Sequence, residues 1–302
     1  MFADSLDHRQ IGASSLQLYR LQSRSRNVSD LVNLMSSMPS VAYAEPNYIV
    51  RTTLMPNDTR FGELWGLNNT GQSGGTAGAD ISAVSAWDVC TGSRSAVVGV
   101  IDTGVDYNHP DLAANIWSAP TSFTVTIGGQ TITCSQGSHG FNAINNTCNP
   151  LDDNNHGTHV SGTIGAVGNN GQGVVGVNWT ASIMGLKFLT ATGSGSTADA
   201  IDCIEFAVQA KQAFAGSAGA NVRVLSNSWG GGGFSQALLD QINKANTNDM
   251  LFVAAAGMPV PTTTPHLTTP QTTMLRMCWQ SPQLRELTQG LLPLTSGPQR
   301  ST

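Results

Sequence analysis

Asn154-Asn155-His156-Gly157-Thr158-His159-Val160-Ser161-Gly162-Thr163 is the stretch on which the reading of this chain turns. A polar loop passes into a helix whose small residues Gly157, Ser161 and Gly162 predict a face pressed close against a neighbouring strand. A histidine at the head of such a helix can face a cleft while a group behind it fixes the ring. The plainest alternative is a capped surface helix with an incidental histidine. The H-x-x-H spacing of His156 and His159 also admits a metal site, but the Glu that a zinc-binding helix uses as base is missing.

Two further stretches decide between these. Val97-Val98-Gly99-Val100-Ile101-Asp102-Thr103-Gly104-Val105-Asp106 is an apolar strand ending on a carboxylate, followed by a glycine turn. Downstream, Val222 to Asn227 runs as a strand into Ser228-Trp229-Gly230-Gly231. In this order the three resemble the subtilisin-like serine proteases, the subtilases, in which the triad follows the chain order Asp, His, Ser. The resemblance implies that Asp102 is the orienting carboxylate and His156 the general base. It implies that Ser228, Trp229 and Gly230 belong to the strand whose backbone pairs with an extended peptide substrate. The implied reaction is endopeptidase cleavage through an acyl-enzyme, which needs a base, a carboxylate to fix it, and donors aimed at the oxyanion. Without the resemblance, Ser228 to Gly231 reads as a buried strand end, and His109 and His159 read as structural.

The chain has 302 residues, a net charge of -5, 40% hydrophobic and 11% charged residues, and 33 glycines. Its length suggests about two domains with enough apolar residues for a sizeable core. The acidic balance and the lack of a basic cluster argue against nucleic acid as a partner. No run of about 18 apolar residues exists, which argues against a helical membrane span. Met1 to Gln10 carries no apolar signal segment, so the chain is either intracellular or lacks its true beginning. The family resemblance implies a secreted protein. Of the five cysteines, Cys134 and Cys148 flank a Gly/Ser/Asn-rich insertion and are near enough for a loop-closing disulfide, with free thiols equally open. Sequons at Asn27, Asn57, Asn68, Asn145 and Asn178 permit glycosylation without demanding it.

Residues 1–53 read as a small separate α+β unit. Ser29 is expected to cap a short helix through Leu31, Val32, Leu34 and Met35, and Val41 to Tyr48 is expected to form an alternating strand broken by Pro46. That ending resembles the last strand of a subtilase propeptide, which implies a propeptide remnant, its first strand lost, as a partner of the enzyme cleft. An N-terminal arm is the alternative. Residues 54–257 form the main domain. Helices are expected over Ile81–Val89, His156 onward, Thr197–Phe214 and Ser235–Asn246, and strands over Val97–Asp102, Ala181–Phe188, Val222–Asn227 and Met250–Ala255. Strands alternating with helices at this spacing predict an α/β doubly wound parallel sheet flanked by helices, with ligands at the strands' carboxyl ends. Thr121 to Pro150 reads as an insertion of β-prone and turn residues. By resemblance, Asp58, Asp111 and the loop carrying Asn170, Gln172 and Val174 match a structural calcium site. Oxygen ligands from carboxylates, an amide and backbone carbonyls suit that hard cation. An ordinary Asn-Gly turn is the alternative.

At its C-terminal end the chain departs from the family. Ala254-Ala255-Ala256-Gly257 is followed by Met258 where the family has the oxyanion Asn. No Gly-Thr-Ser-Met-Ala or near relative, the motif of the nucleophile, occurs in the 302 residues. Residues 258–302 are rich in Pro, Thr, Gln and Leu and show no period of 2 or 3.6. The genetic code offers an explanation, the loss of one base after the Gly257 codon. Met258-Pro259 then forces alanine in the lost frame, and Met277-Cys278-Trp279-Gln280 forces Val-Leu-Ala, a strand-like run. With free choice elsewhere, Met258 to Pro282 can be rewritten as a continuation resembling the family's own, beginning with Asn. Residues 258–302 are therefore expected to be out-of-frame sequence rather than a domain, the sheet incomplete, and the chain inactive. A non-catalytic pseudo-protease or an inhibitor-like peptide-binding module is the competing function.

Overall fold

The computed structural model describes residues 7–11, 17–48, 54–217 and 219–255. The chain packs as two units, Met1–Thr53 and Leu54–Thr302.

In the first unit, β1 (Asp7–Ile11) and β2 (Leu18–Gln22) form an antiparallel pair, with Asp7 opposite Gln22 and Ile11 opposite Leu18. Neither strand was foreseen, because β1 is exposed along its length and carries no alternation to read. Helix α1 (Val28–Ser36) begins before the expected cap. Asn27, not Ser29, takes the extended cap conformation and accepts from the Asp30 amide at 2.8 Å. The expected strand over Val41–Tyr48 is absent; those residues are irregular, with Tyr43 and Tyr48 exposed. Pro46 has no amide to give a ladder, and the alternation has no buried side to serve.

The second unit is an α/β sandwich. Five strands lie in the order β6-β7-β3-β8-β9, all parallel: β3 (Val97–Asp102), β6 (Gly140–Asn142), β7 (Ile183–Lys187), β8 (Val222–Asn227) and β9 (Leu251–Ala254). The continuous apolar runs of β3 and β7 suit strands covered on both faces. At the sheet's centre Gly99 admits neighbours on both sides, since a β-carbon there would stand 2.9 Å from Leu186 Cδ1 and from Leu225 Cδ2.

One face packs Ile101, Phe141, Met184, Leu186 and Leu225 against α4 (Thr197–Ala213) and α5 (Gln236–Thr247). Ser196 and Ser235 cap these helices by accepting from the amides of Asp199 and Leu238. Phe206 of α4 stacks on Phe141 with centroids 4.8 Å apart, a pairing worth about 0.5–1.5 kcal/mol beyond its burial. The other face packs Val100, Ala181 and Ile183 against Val160 and Ile164 of α3 (His156–Gly165). The short α2 (Ala83–Trp87) sits within the expected Ile81–Val89 span, its Trp87 between Phe61 and Trp179.

The insertion folds as a hairpin, β4 (Phe123–Ile127) and β5 (Gln130–Cys134), with alternating burial along β4. Cys134 is bonded to Cys148 as a disulfide, and Gln209 of α4 exchanges two hydrogen bonds with the backbone of Thr126. Among the described residues no helix is long and apolar enough to cross a membrane.

Candidate active site

Asp102 is the last residue of β3 and His156 the first of α3, so the loop between strand end and helix head decides whether they meet. They do. His156 Nδ1 lies 2.8 Å from Asp102 Oδ1. The Asp102 side chain is wholly buried while that of His156 is 50% exposed, so the carboxylate is dry and the ring faces solvent. The same Oδ1 accepts from the Thr103 amide at 2.7 Å. Asp102 Oδ2 is buried with no hydrogen-bond partner among the described residues. An ionised carboxylate can only accept, so the proton of the shared bond sits on Nδ1, which in the neutral ring leaves the lone pair on Nε2.

Close approach of α3 to the sheet makes this contact possible. Its buried small residues are Gly157, Ser161 and Gly165, spaced four apart on one face. Gly165 replaces Gly162 in the expected trio. A β-carbon at 165 would stand 2.7 Å from Ala181 Cβ, whereas Gly162 has nothing within 4 Å. Gly162 falls between the buried positions 161 and 165 and so lies off the close face.

Sequence reasoning missed the groups behind the pair. Thr103 is buried, and its hydroxyl donates to Asp152 Oδ1 at 2.8 Å while accepting from the Gly157 amide at 2.8 Å. Burial alone would push the Asp152 carboxyl pKa up, but hydrogen bonds from Thr158, Asn154 and Thr103 outweigh it and hold the pKa below its ordinary value. Lys187, buried at the end of β7, donates to the Thr103 carbonyl at 2.6 Å, to Asp153 Oδ1 at 2.6 Å and to the Leu189 carbonyl at 2.8 Å. A lysine closing an apolar core strand was the available signal, since a buried ammonium needs every proton accepted.

Ser228, Trp229 and Gly230 follow directly on β8. Ser228 and Trp229 are half-buried and Gly230 is exposed. Trp229 meets Phe188 edge-on with centroids 4.8 Å apart, and the Phe188 amide donates to the Asp102 carbonyl at 3.0 Å. The structure thus brings this turn to the same end of the sheet as Asp102. His109 accepts from the Asp111 amide through Nδ1, and His159 stands exposed on α3.

Asp58 and Asp111 converge on one loop. Asp58 Oδ2 accepts from the Asn169 amide at 2.7 Å. Asp111 accepts from Asn170 Nδ2 at 2.7 Å and from the Val174 amide at 2.9 Å, and the Gln172 amide donates to Asn170 Oδ1 at 2.8 Å. Asp58 Oδ1 is buried with no partner among the described residues, and an orphaned carboxylate oxygen fits a cation ligand. Among the described residues no three or more His, Cys, Asp or Glu side chains group as a metal site. The expectations for residues 256–302, the tail included, lie outside the described residues.

A dry carboxylate holding one nitrogen of a half-exposed imidazole, at the same end of the sheet as the turn after β8, is an arrangement that can take a proton from a hydroxyl beside a bound extended chain. Comparison with known proteins bears on the family. The family model described as the subtilase family, peptidase S8, matches residues 93–267. The chain is similar to a thermophilic serine proteinase of Bacillus sp. (strain AK1), 33% identical over 232 residues, covering 76% of this chain and 47% of the relative. It is also similar to an extracellular protease of Xanthomonas campestris pv. campestris, 34% identical over 235 residues, covering 75% of this chain and 39% of the relative. A solved structure of proteases from Pseudoalteromonas arctica aligns at a TM-score of 0.48 and 29% identity, over 67% of this chain and 59% of that one. The chain therefore spans about half the length, or less, of these two curated relatives. On the family match and the likeness to the Bacillus and Xanthomonas proteases, the chain belongs to the subtilase family of serine peptidases.

Proposed function

We propose that His156 is the general base and Asp102 its orienting carboxylate in a peptide-bond-cleaving site of the serine type. The bond of 2.8 Å from a half-exposed imidazole to a wholly buried carboxylate carries this reading. With Nδ1–H held by Asp102, Nε2 accepts the serine proton as the hydroxyl attacks, and the buried carboxylate stabilises the resulting imidazolium. Ser228, Trp229 and Gly230 hold the substrate backbone as an added strand. The substrate class is protein or extended peptide, the natural setting is outside the cell, and residues 1–53 act as the chain's own propeptide.

The chain as written is catalytically silent. No Gly-Thr-Ser-Met-Ala motif supplies a nucleophile within its 302 residues, and Met258 occupies the place of the oxyanion asparagine. Losing one such donor costs on the order of 10² to 10³ in turnover, a value taken from subtilisin, a member of this family. Losing the nucleophile removes the covalent route. The two deficits share one mechanism and are not multiplied. The direct test is labelling with a fluorophosphonate serine probe and hydrolysis of casein. The expected result is neither, and robust proteolysis dependent on His156 overturns the silence.

Asp58, Asp111, Asn170, Gln172 and Val174 would hold a calcium ion, the orphaned Asp58 Oδ1 supporting the fit. When bound, the ion neutralises two buried carboxylates and staples residues far apart in the chain. It takes no part in the chemistry.

A further inference from the structure

We infer that Thr103 is a positioning residue for the Asp102–His156 pair, its hydroxyl joining the Asp152 carboxylate to the Gly157 amide so that strand end and helix head keep one spacing. The inference rests on the reading of His156 as base and Asp102 as its partner.

The helix that carries His156 does not cap itself. Asn155, at its head, has φ 85° and makes no side-chain cap bond. The first amides of a helix have no partner within it and must find one elsewhere. Here two find the loop just before the helix and one crosses to the loop after β3. The His156 amide donates to Asn154 Oδ1 at 3.3 Å, the Gly157 amide to Thr103 Oγ1, and the Thr158 amide to Asp152 Oδ2 at 3.0 Å. Since an amide can only donate and a carboxylate only accept, the direction of the chain Gly157 N–H to Thr103 O–H to Asp152 is fixed.

Asp152 is the hub of this junction. Its Oδ1 accepts from Thr103 Oγ1, from the Asn154 amide at 2.9 Å and from the Asn155 amide at 3.1 Å. Its Oδ2 accepts from the amide and, at 2.5 Å, the hydroxyl of Thr158. The Thr158 hydroxyl accepts in turn from the Asp106 amide at 2.9 Å. One carboxylate thus ties the loop after Asp102 to the loop before His156. The Thr103 carbonyl is pinned separately by Lys187 Nζ at 2.6 Å. Thr103 follows Asp102 directly, so a shift of its backbone carries the Asp102 backbone with it. Among the described residues the His156 ring, half in solvent, is hydrogen-bonded only to Asp102. Its aim therefore depends on how firmly the helix head is docked. Charged groups reach the pair through Thr103, whose hydroxyl bonds Asp152 and whose carbonyl bonds Lys187, itself paired with Asp153.

The test uses the full chain labelled with ¹⁵N-histidine and follows the proton shared by His156 Nδ1 and Asp102. It gives a downfield resonance, assigned by its absence in His156→Gln. Thr103→Val keeps the side chain's shape and removes both hydrogen bonds. The expected result is loss of the resonance, or at least tenfold faster exchange with water, with the remaining backbone amide spectrum retained. Thr103→Ser restores the hydroxyl and is expected to restore the signal. Should Thr103→Val unfold, Thr158→Val, which cuts one arm of the Asp152 hub, is expected to speed exchange several-fold. Wild-type exchange in whichever of these two variants stays folded overturns the inference. Asp102→Asn separates the two claims: if it leaves the resonance unchanged, the base assignment itself falls and the inference with it. If Asp102→Asn removes the signal while folded Thr103→Val keeps it, only the role of Thr103 is refuted.

Discussion

Gly157 lies so close over the carbonyl of Gly104 that a β-carbon at 157 would stand 2.1 Å from that oxygen and 3.1 Å from Asp102 Cβ. No rotation relieves such an approach, because both partners are backbone or its first side-chain atom. Gly157→Ala is expected to lift the head of α3 off the strand and cost about 1–3 kcal/mol, the usual toll of overpacking. Urea unfolding measures the loss, and the shared His156–Asp102 proton should weaken with it. A variant with wild-type stability and an intact shared proton would show that the junction is looser than described.

Calcium is expected to raise the melting temperature of the chain. At a free concentration 100 times its dissociation constant, linkage gives about 2.7 kcal/mol, or roughly 5–10 °C for a domain of this size. Asp111→Ala removes the carboxylate that accepts from Asn170 and Val174 and is expected to abolish the rise. Scanning calorimetry with calcium and with chelator decides, and identical curves for the unmodified chain would refute the site.

Glu205 sets a pH dependence away from the site. Burial pushes its carboxyl pKa up, but hydrogen bonds from Lys244, Gln209 and Gln241 prevail and the pKa lies below its ordinary value. A depressed carboxyl pKa stabilises the fold above the unfolded value of about 4.3, and that contribution fades as pH falls through the folded value. Glu205→Gln is therefore expected to cost about 1 kcal/mol at pH 7, with the difference closing as the pH falls through the depressed folded value. Melting temperatures of both proteins across pH 3–8 check this. A gap that stays constant with pH refutes the charge-based account.

Restoring one base after the Gly257 codon, in a gene extended to a complete peptidase, is expected to produce a serine that takes a fluorophosphonate probe. His156→Ala should abolish labelling, and Asp102→Asn should lower turnover about 10⁴-fold by admitting the wrong tautomer. Labelling that survives His156→Ala would remove that residue from the base's role.

The main sheet was legible because β3 and β7 are apolar runs, and β3, β7, β8 and β9 alternate with helical segments at βα spacing. Asp102 and His156 were legible because the strand end and helix head that carry them have distinctive local sequences. Strand β6 escaped because Gly140-Phe141-Asn142 is too short to show any period. Hairpin β1–β2 escaped because β1 is exposed and mostly polar and β2, with Leu18 and Leu21 three apart, shows no alternation. The junction of Thr103, Asp152 and Lys187 escaped for a different reason. Its meaning lies in contacts across 49 and 84 residues of sequence, which no local pattern encodes.

The central place of β3 also has a consequence for synthesis. The Asp102 strand pairs on one side with Ile183–Lys187 and on the other with Val222–Ser226, so its ladder waits for residues made much later. At typical rates of 5–20 residues per second, the interval from residue 97 to residue 227 lasts roughly 7–26 seconds. Throughout that interval this apolar strand has no partner on its β8 side. The position that secures Asp102 in the finished fold thus makes its strand one of the last to be sheltered on the ribosome, and a natural target for holding chaperones.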